Sequence, residues 1–329
     1  MFITPSPMRT GVIAAASLAA LAIAACGDSE DKQAGAPATS SDAQGSIVYE
    51  KELGPDTQLF IARPHGTGER RLTRVDGNAL HADWSPDGKR IVFHIEHTNA
   101  KPHPYCSIAL INADGSGLTD LADRRRGCDG SPTFTPDGRR IVFGTFDDVK
   151  DVEGIASMDV SGADRRRIPT PWRAGVAAPL TSPDGKWVTF VRLMGEEGAR
   201  NSLFAMRPDG SQLHRLTPPS WAIGDKYDWS ADGKLIVVTT HAHFVRPGES
   251  ANVVTIHPDG TVATRITRFT GGRKSGFAGS FSPDGKQIVF RLESGDTYSL
   301  AVIDRQGGNL RRLTTGKERP RFIDWGTHR

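Results

Sequence analysis

A short phrase built around a Pro-Asp-Gly turn recurs along the chain. It reads DWSPDGKRIVF from Asp83, FTPDGRRIVF from Phe134, TSPDGKWVTF from Thr181, WSADGKLIVV from Trp229 and FSPDGKQIVF from Phe281. Its aromatic or equivalent position returns every 47 to 52 residues, and Trp325 in the terminal phrase FIDWG follows after 44 more. A period of about 40 to 50 residues is typical of β-propeller blades. The repeat therefore predicts one small unit built several times over.

Each unit can be assembled from local chemistry. An inner strand ends at the aromatic residue, the Pro-Asp-Gly turn reverses the chain, and the branched apolar run that follows forms a buried second strand. A second recurring phrase, such as LFAMRPDGSQLHRLT from Leu203, adds a third strand, a Gly-containing turn and a short fourth strand that ends near Leu-Thr. Four strands of this kind make one propeller blade.

The two ends of the sequence predict how the units close. The first unit lacks the inner-strand phrase before Ile47, and the last phrase, FIDWG at residues 322 to 326, has no strand after it. We expect this C-terminal strand to pair beside Ile47–Tyr49 and to leave no open sheet edge between the ends. The sequence thus predicts an all-β fold, a six-bladed β-propeller over residues 46–329 with strand-exchange closure.

The repeats resemble the PD40, or WD40-like, repeat of TolB-like propellers. The resemblance rests on the pattern xWSPDGxxIxF followed by a third strand, an Asp-Gly turn and Leu-Thr, and it extends from Ser46 to Arg329. A similar propeller is the gating domain of prolyl-oligopeptidase-like enzymes, whose hydrolase domain carries a GxSxG nucleophile motif. No GxSxG occurs in this sequence. The resemblance implies a propeller fold and does not itself assign a function.

The N-terminal residues are typical of an export signal. Arg9 precedes an uncharged, apolar run from Gly11 to Ala25, and the segment Ile23-Ala24-Ala25-Cys26 resembles a bacterial lipobox. We therefore expect a lipoprotein signal peptide over residues 1–25, with Cys26 as the lipidated residue; a plain signal peptide beside a chance cysteine is the alternative. Residues 26–45 are small and polar, which predicts the lipidated Cys followed by a flexible tether.

Charge and cysteine content narrow the possible partners and the compartment. The 41 basic and 38 acidic side chains leave a net charge of +3, which is too small to indicate nucleic-acid binding. Export places the chain in an oxidising compartment, so we expect a disulfide between Cys106 and Cys128, with two free thiols as the alternative. The protein is expected to lie outside the cytoplasm as a cell-envelope lipoprotein, anchored to the membrane by its N-terminal lipid, and to be a monomer.

The densest polar residues fall in the connections between second and third strands. A propeller projects these connections from one face, so they form a candidate binding face. To them we add two tryptophans in the connections between blades. The candidate residues are His94, Glu96, His97, His103, Asp147, Asp148, Trp172, Trp221, His241 and His243.

The histidine spacing also permits a metal site, but only weakly. His94 and His97, and His241 and His243, are spaced so that imidazoles on a strand or loop can approach a common ion. Three convergent ligands would be required for metal-activated water, and the sequence does not establish that convergence. We therefore expect no metal, no other cofactor and no catalytic residue.

These observations favour a membrane-anchored, exported propeller that binds a protein or peptide and performs no chemistry. Two alternatives remain open at this stage. One is a metal-dependent hydrolase or lactonase-like propeller with a site at the channel mouth, and the other is a glycan-binding propeller that uses Trp172 or Trp221.

Overall fold

The computed structural model describes residues 45–101, 103–121, 127–147, 152–195, 198–242 and 248–326. All of them belong to the compact unit Asp42–Arg329. The expected signal peptide, Cys26 and all of the tether except Gly45 lie outside the described residues, as do the candidate residues Asp148 and His243.

The described residues form β-strands joined by turns and short connections, with a one-turn 3-10 helix at Pro219–Trp221. In chain order the strands are β1 Ser46–Leu53, β2 Asp56–Ala62, β3 Arg70–Arg71, β4 Asn78–Trp84, β5 Arg90–His97, β6 Tyr105–Asn112, β7 Thr119–Asp120, β8 Cys128–Phe134, β9 Arg140–Asp147, β10 Val152–Asp159, β11 Arg166–Ile168, β12 Val176–Thr181, β13 Val188–Arg192, β14 Ser202–Met206, β15 His214–Arg215, β16 Asp228–Trp229, β17 Ile236–Thr240, β18 Asn252–Ile256, β19 Val262–Arg265, β20 Lys274–Phe281, β21 Gln287–Ser294, β22 Thr297–Asp304, β23 Arg311–Arg312 and β24 Arg321–Gly326.

The strands form an all-β propeller made of antiparallel four-stranded units. Four of its sheets have four strands each, in the orders β24-β1-β2-β3, β12-β13-β14-β15, β16-β17-β18-β19 and β20-β21-β22-β23. The fifth sheet runs from β4 to β11 and consists of two further antiparallel units. A single parallel bridge between Cys106 and Cys128 joins these two units, and a disulfide connects the same two residues.

The C-terminal strand β24 pairs with the first strand of the described chain. Ile47 lies opposite Trp325, and Ser46 lies opposite Gly326. The side chain of Trp84, from the next unit, packs directly over Gly326, where a Cβ atom would overlap the indole ring. Residues at the two ends of the sequence therefore complete one sheet.

Apolar cores lie between consecutive units. Val48 packs into a core with Phe93 of β5, while the neighbouring Ile47 packs on the other face with Val289 and Val302 of β21 and β22. The alternation follows from the two-residue period of a strand, which sends adjacent side chains to opposite faces. The first and last sheets in the sequence thus share a hydrophobic core.

The recurring turn adopts the structure that its sequence predicts. In the first copy, Oδ1 of Asp87 accepts hydrogen bonds from Ser85 Oγ at 2.7 Å and from the Lys89 N–H at 3.1 Å, and Gly88 has a φ of +67°. Equivalent bonds recur at the other four turns. These aspartates therefore stabilise turns, which is the role expected for Asp before a Gly that reverses the chain.

The Leu-Thr ending of each unit also has a structural role, one that the sequence did not reveal. Thr73 Oγ1 accepts the N–H of Leu59 at 2.9 Å, and Thr217 Oγ1 accepts the N–H of Leu203 at 2.8 Å. Two further units repeat the bond at Val253 and Leu300. The threonine satisfies a buried backbone donor where the short fourth strand ends, so the third strand leaves no polar group unpaired at that point.

Candidate functional site

The inner strands bulge at a common position. The pairing register shifts in β4, β8, β12 and β20, and between β24 and β1. In four of these strands the residue three places before the aromatic or equivalent position has a left-handed backbone, with φ between +43° and +54°: His81, Ser131, Ala178 and Phe322. Bulges re-aim side chains and are common beside functional sites, and such strained non-glycine residues cluster there as well.

These bulges surround a cavity between the inner strands. The four residues line a space of about 40 Å³, together with Lys226, which is three places before Trp229. We call His81, Ser131, Ala178, Lys226 and Phe322 the mouth. A second cavity of about 280 Å³ shares Lys226 and Phe322 with it.

One side of the mouth consists of packed aromatic and imidazole rings. The His81 ring stacks on Phe322, with ring centroids 3.6 Å apart, and contacts the His94 ring edge-on at 4.9 Å. Its Nδ1 is also hydrogen-bonded with Ser131 Oγ. Burial lowers the pKa of His94 to about 4 and lowers the pKa of His81 well below its usual value. Both imidazoles are therefore neutral at pH 7, so this side of the mouth is uncharged.

Three aspartates lie beneath the mouth, and each bonds the unit that follows it. Asp83 Oδ2 accepts the Phe134 N–H at 2.9 Å, Asp228 Oδ2 accepts the Phe281 N–H at 3.0 Å, and Asp324 Oδ2 accepts the Trp84 N–H at 3.1 Å. Each aspartate directly precedes a tryptophan in the sequence. The three bonds connect neighbouring inner strands at the level of their aromatic residues.

The charges of these aspartates are coupled to Lys226. Lys226 Nζ lies 3.3 Å from Asp324 Oδ1. Burial alone would lower the pKa of Lys226, but Asp324, Asp228 and Asp83 together raise it above its usual value. Burial and the neighbouring Asp324 raise the pKa of Asp228 to about 7, and the same two causes raise the pKa of Asp83. Lys226 thus remains charged at neutral pH despite its burial.

Glu50 on β1 contacts the backbone of the mouth residue His81. Its side chain is fully buried, and its Oε1 accepts the His81 N–H at 2.7 Å. Burial raises the pKa of Glu50 to about 8, against the opposing effect of Arg321. Its Oε2 has no hydrogen-bond partner among the described residues, and Arg321 Nε lies 3.8 Å away. Glu50 therefore holds the strained His81 backbone at the cost of a poorly solvated carboxyl group.

The candidate histidines of β5 occupy different environments. His94 is buried against the mouth, where its Nδ1 lies 3.4 Å from the Ser131 N–H. His97 stacks on Tyr105 and contacts Ser107 Oγ at 2.8 Å and Asp120 Oδ2 at 3.4 Å, all within its own unit. Only His94 of this pair touches the mouth.

The remaining candidates are spread over the surface and the blade cores. Glu96 Oε2 accepts a hydrogen bond from Asn78 Nδ2 at 2.9 Å, His103 is exposed, and Asp147 ends β9. His241 Nδ1 lies 3.8 Å from Glu249 Oε2. Within the described ranges, no three His, Cys, Asp or Glu side chains are arranged to hold a metal ion.

The two candidate tryptophans are partly buried in blade cores. Trp172 packs edge-on against Phe190 and Phe204, with Arg192 over its ring at 5.0 Å. Trp221 packs against the core that contains Ile223 and Tyr227. Both side chains thus take part in the hydrophobic packing of a blade.

Sequence reasoning missed Asp83, Asp228, Asp324, Lys226 and Glu50. A usable signal was present for the aspartates, because the dipeptide Asp-Trp recurs at residues 83, 228 and 324 at the end of an inner strand. Lys226 and Glu50 carry no such mark, since each occurs in a single copy of the repeat.

One further structural observation and the disulfide bear on location. In the part of the chain that the structure describes, no helix has the length and apolarity needed to cross a bilayer. The Cys106–Cys128 disulfide is of the kind that persists in oxidising compartments.

Comparison with known proteins gives the following similarities. No protein-family model matches the sequence. The Tol-Pal system protein TolB of Anaeromyxobacter dehalogenans is 31% identical over 161 residues, which cover 49% of this chain and 35% of that protein. Dipeptidyl-peptidase 5 of Porphyromonas endodontalis is 30% identical over 157 residues, which cover 45% of this chain and 21% of that protein.

Among solved structures, TolB from Acinetobacter baumannii superimposes with a TM-score of 0.64 at 21% identity, over 87% of this chain and 67% of that one. The matched curated relatives are much longer than the aligned part: the chain spans between about a fifth and under a half of their lengths. The homology with TolB, together with the disulfide, indicates a location outside the cytoplasm. The chain has a TolB-like β-propeller fold, with TolB among both its sequence homologues and its structural homologues.

Proposed function

We propose that this protein is an exported, membrane-anchored propeller that binds a protein or peptide ligand at the mouth and performs no chemistry. The observation that carries the proposal is the set of left-handed bulges at His81, Ser131, Ala178 and Phe322, which present side chains from four different inner strands to one cavity. Repeated strain at equivalent positions is costly, and it is expected where a surface is held ready for a ligand.

The architecture in this proposal is a closed ring of six four-stranded blades. Three features support it: the β24–β1 pairing, the core shared by the first and last sheets, and the Asp324–Trp84 bond between neighbouring inner strands. The larger sheet counts as two blades, because among the described residues the strands of its two halves pair at a single bridge, between Cys106 and Cys128. Deletion of residues 322–329 should then abolish cooperative unfolding of the whole domain; a truncated chain that melts like the intact one would contradict the ring.

We propose a non-catalytic role because the polar groups near the mouth already have structural partners within the protein. Asp83, Asp228 and Asp324 accept backbone hydrogen bonds from the next unit, and His81 and His94 are neutral and packed together. Groups engaged in this way hold the scaffold and are poorly placed to exchange protons with a substrate. The partner is proposed to be a polypeptide of the cell envelope, bound by a monomer, with no nucleic acid involved.

The anchor is the other part of the proposal. Cys26 follows an apolar run and precedes a polar segment, which supports a lipid-modified cysteine that tethers the propeller. Cys26→Ser should move the exported protein from the membrane fraction to the soluble fraction, while a Cys106→Ser control should stay with the membrane. Equal membrane retention of Cys26→Ser and the unaltered protein would contradict the anchor.

Site-specific photo-crosslinking tests the binding role. In one variant a photoreactive benzophenone amino acid replaces Ala178 in the mouth. In a second variant it replaces the exposed Lys234, which follows the turn Ala231-Asp232-Gly233 at the opposite end of an inner strand. We expect the full chain in cells to form a discrete adduct with a polypeptide from position 178 and not from position 234. The same adducts from both positions, or none from position 178, would reject the mouth as the binding surface.

Metal analysis of the purified full chain separates this proposal from an enzyme. The expected result is less than a tenth of an equivalent of any transition metal or divalent cation after dialysis. A stoichiometric ion that is lost on His94→Ala or His241→Ala would favour the metal-dependent hydrolase instead.

A further inference from the structure

The cavity beside the mouth is rich in guanidinium groups. It has a volume of about 280 Å³ and is lined by Arg291, Arg319, Arg321 and Lys226, with Asp225 as the one acidic side chain among the described residues of its lining. Phe277 and Phe322 supply apolar surface. A concave site with a few convergent charged groups and an apolar wall has the usual composition of a ligand pocket.

Arg291 is the most unusual of these groups, because it is nine-tenths buried. Its guanidinium carbon lies 4.0 Å from the centre of the Phe277 ring, which fixes the plane of the group. Burial and the neighbouring Arg319 lower the pKa of Arg291 to about 10, so the side chain remains charged at neutral pH. A fixed, charged guanidinium facing a cavity is preorganised for a planar anion.

The acidic partners of these arginines are too few to satisfy them. Glu293 Oε1 accepts a hydrogen bond from Arg319 Nε at 3.0 Å and lies 2.9 Å from both Arg319 Nη2 and Arg291 Nε, so one oxygen serves two guanidinium groups. Despite the short distance to this oxygen, Arg291 Nε has no hydrogen-bond acceptor among the described residues. Its Nη1 reaches the Pro320 carbonyl at 3.4 Å. Five donors on each guanidinium exceed what these contacts use.

Arg321 is similarly under-satisfied. Among the described residues, the carboxyl oxygens nearest to it are those of Glu50 at 3.8 Å and Glu52 at 3.7 Å, which are long distances for charge-assisted hydrogen bonds. Lys226 is already paired with Asp324. The three arginines therefore carry more positive charge than Glu293, their one close carboxylate among the described residues, can balance.

We propose that this arginine cavity binds a carboxylate group, held between Arg291, Arg319 and Arg321 with the adjoining apolar part of the ligand against Phe277 and Phe322. A carboxylate matches the guanidinium fork in shape and charge and would supply the acceptors that Glu293 does not. The carboxylate belongs either to a peptide, as its C-terminus or an acidic side chain, or to a free organic acid. The peptide case deepens the binding role proposed above and rests on it.

Calorimetric titration of the full chain in detergent tests the site, with two probes. One probe is the peptide acetyl-Ala-Glu as its free acid, compared with acetyl-Ala-Gln amide. The other is succinate, compared with succinamide. We expect at least one acid to bind at least tenfold more tightly than its amide. Tighter binding of acetyl-Ala-Glu than of succinate would identify a peptide as the source of the carboxylate, and the reverse order would identify a free organic acid. Equal affinity of both acids and their amides would overturn the proposal.

Arginine variants locate the binding. Arg291→Gln and Arg319→Gln should each weaken acid binding at least tenfold, whereas Arg265→Gln, at an exposed position on β19, should leave it unchanged. Because Arg291→Gln alters a buried group, its melting curve is recorded, and Arg319→Gln, with its side chain 42% exposed, decides the case if Arg291→Gln does not fold. Acid binding that survives Arg319→Gln would overturn the assignment. If the crosslink at position 178 persists in Arg319→Gln, the mouth still binds its polypeptide ligand, but the arginine cavity takes no part in that binding.

Discussion

The carboxylate of Asp324 accepts a hydrogen bond from the backbone N–H of Trp84, a residue 240 positions earlier in the sequence. The same carboxylate lies 3.3 Å from Lys226 Nζ. Asp83 and Asp228 make the corresponding bond to Phe134 and Phe281. A repeated short-range motif, Asp-Trp, thus produces long-range bonds between units wherever it occurs.

Asp324→Ala should destabilise the propeller. The substitution removes the acceptor that Asp324 gives to the buried Trp84 N–H and the carboxylate that pairs with Lys226, so we expect a loss of about 1–3 kcal/mol in the free energy of unfolding. Urea denaturation followed by tryptophan fluorescence measures the change. Asp324→Asn, whose side-chain oxygen can still accept the N–H, should lose less, and Asp296→Ala in an exposed turn should behave as the unaltered protein does. An Asp324→Ala protein as stable as the Asp296→Ala control would refute the role of this bond.

Gly326→Ala should be more damaging than a surface glycine substitution. A Cβ at Gly326 would overlap the ring of Trp84, whereas the nearest atom to a Cβ at Gly316 is a backbone nitrogen at 3.9 Å. Overpacking of a rigid aromatic ring is expected to cost about 3 kcal/mol or more, because either the indole or strand β24 must move. Thermal unfolding of Gly326→Ala and Gly316→Ala provides the comparison, and similar melting temperatures for the two would count against the close Trp84 contact.

The turns could be predicted because their chemistry is local. Asp87 bonds groups two residues away, and this follows from Asp before Gly in a tight turn. The partner of Asp83 lies in the next unit, 51 residues on, so no local rule identifies it. Both residues are aspartates of the same phrase, and their roles differ because one faces a turn and the other faces the neighbouring inner strand.

The site was harder to predict than the fold. The sequence indicates histidines in the connections between strands as candidates, whereas the cavity is formed by bulges at His81, Ser131 and Ala178 inside the inner strands. None of these three is a glycine, so nothing in the sequence marks a left-handed backbone there. His94 was identified as a candidate, but its contact with His81 comes from the bulge and could not be anticipated.

Removal of the Cys106–Cys128 disulfide should lower stability without dissolving the fold. The disulfide closes a segment with a sequence separation of 22 residues and joins two units that are also held together by the Asp83–Phe134 hydrogen bond and a shared apolar core. Loop-closure entropy gives an expected loss of about 3 kcal/mol. The double variant Cys106→Ala/Cys128→Ala is compared with the oxidised protein by thermal unfolding, and peptide mapping without reductant verifies the bridge. Two free thiols in exported protein would show that the bridge does not form.

The buried carboxyl of Glu50 should make stability depend on pH above neutrality. Its folded pKa of about 8 is higher than the usual value of about 4.5, so the folded state retains a proton that the unfolded chain has lost. The contribution of Glu50 is fully present below about pH 4.5 and is lost as the pH rises through about 8. His94 has the opposite effect, but its pKa of about 4 confines that effect to between about pH 4 and 6.5.

From pH 7 to 8.5 His94 adds no slope, whereas the raised pKa values of Asp228 and Asp83 act in the same direction as that of Glu50, so the share of Glu50 is isolated by substitution. Glu50→Gln keeps an oxygen that can accept the His81 N–H and removes the ionisable group. We expect the free energy of unfolding to fall over this interval in the unaltered protein and to change markedly less in Glu50→Gln, as measured by urea denaturation at half-unit pH steps. Glu52→Gln, whose side chain is 62% exposed, is the matched control and should retain the full slope. Identical slopes for Glu50→Gln and Glu52→Gln would mean that Glu50 is ionised without penalty in the folded protein.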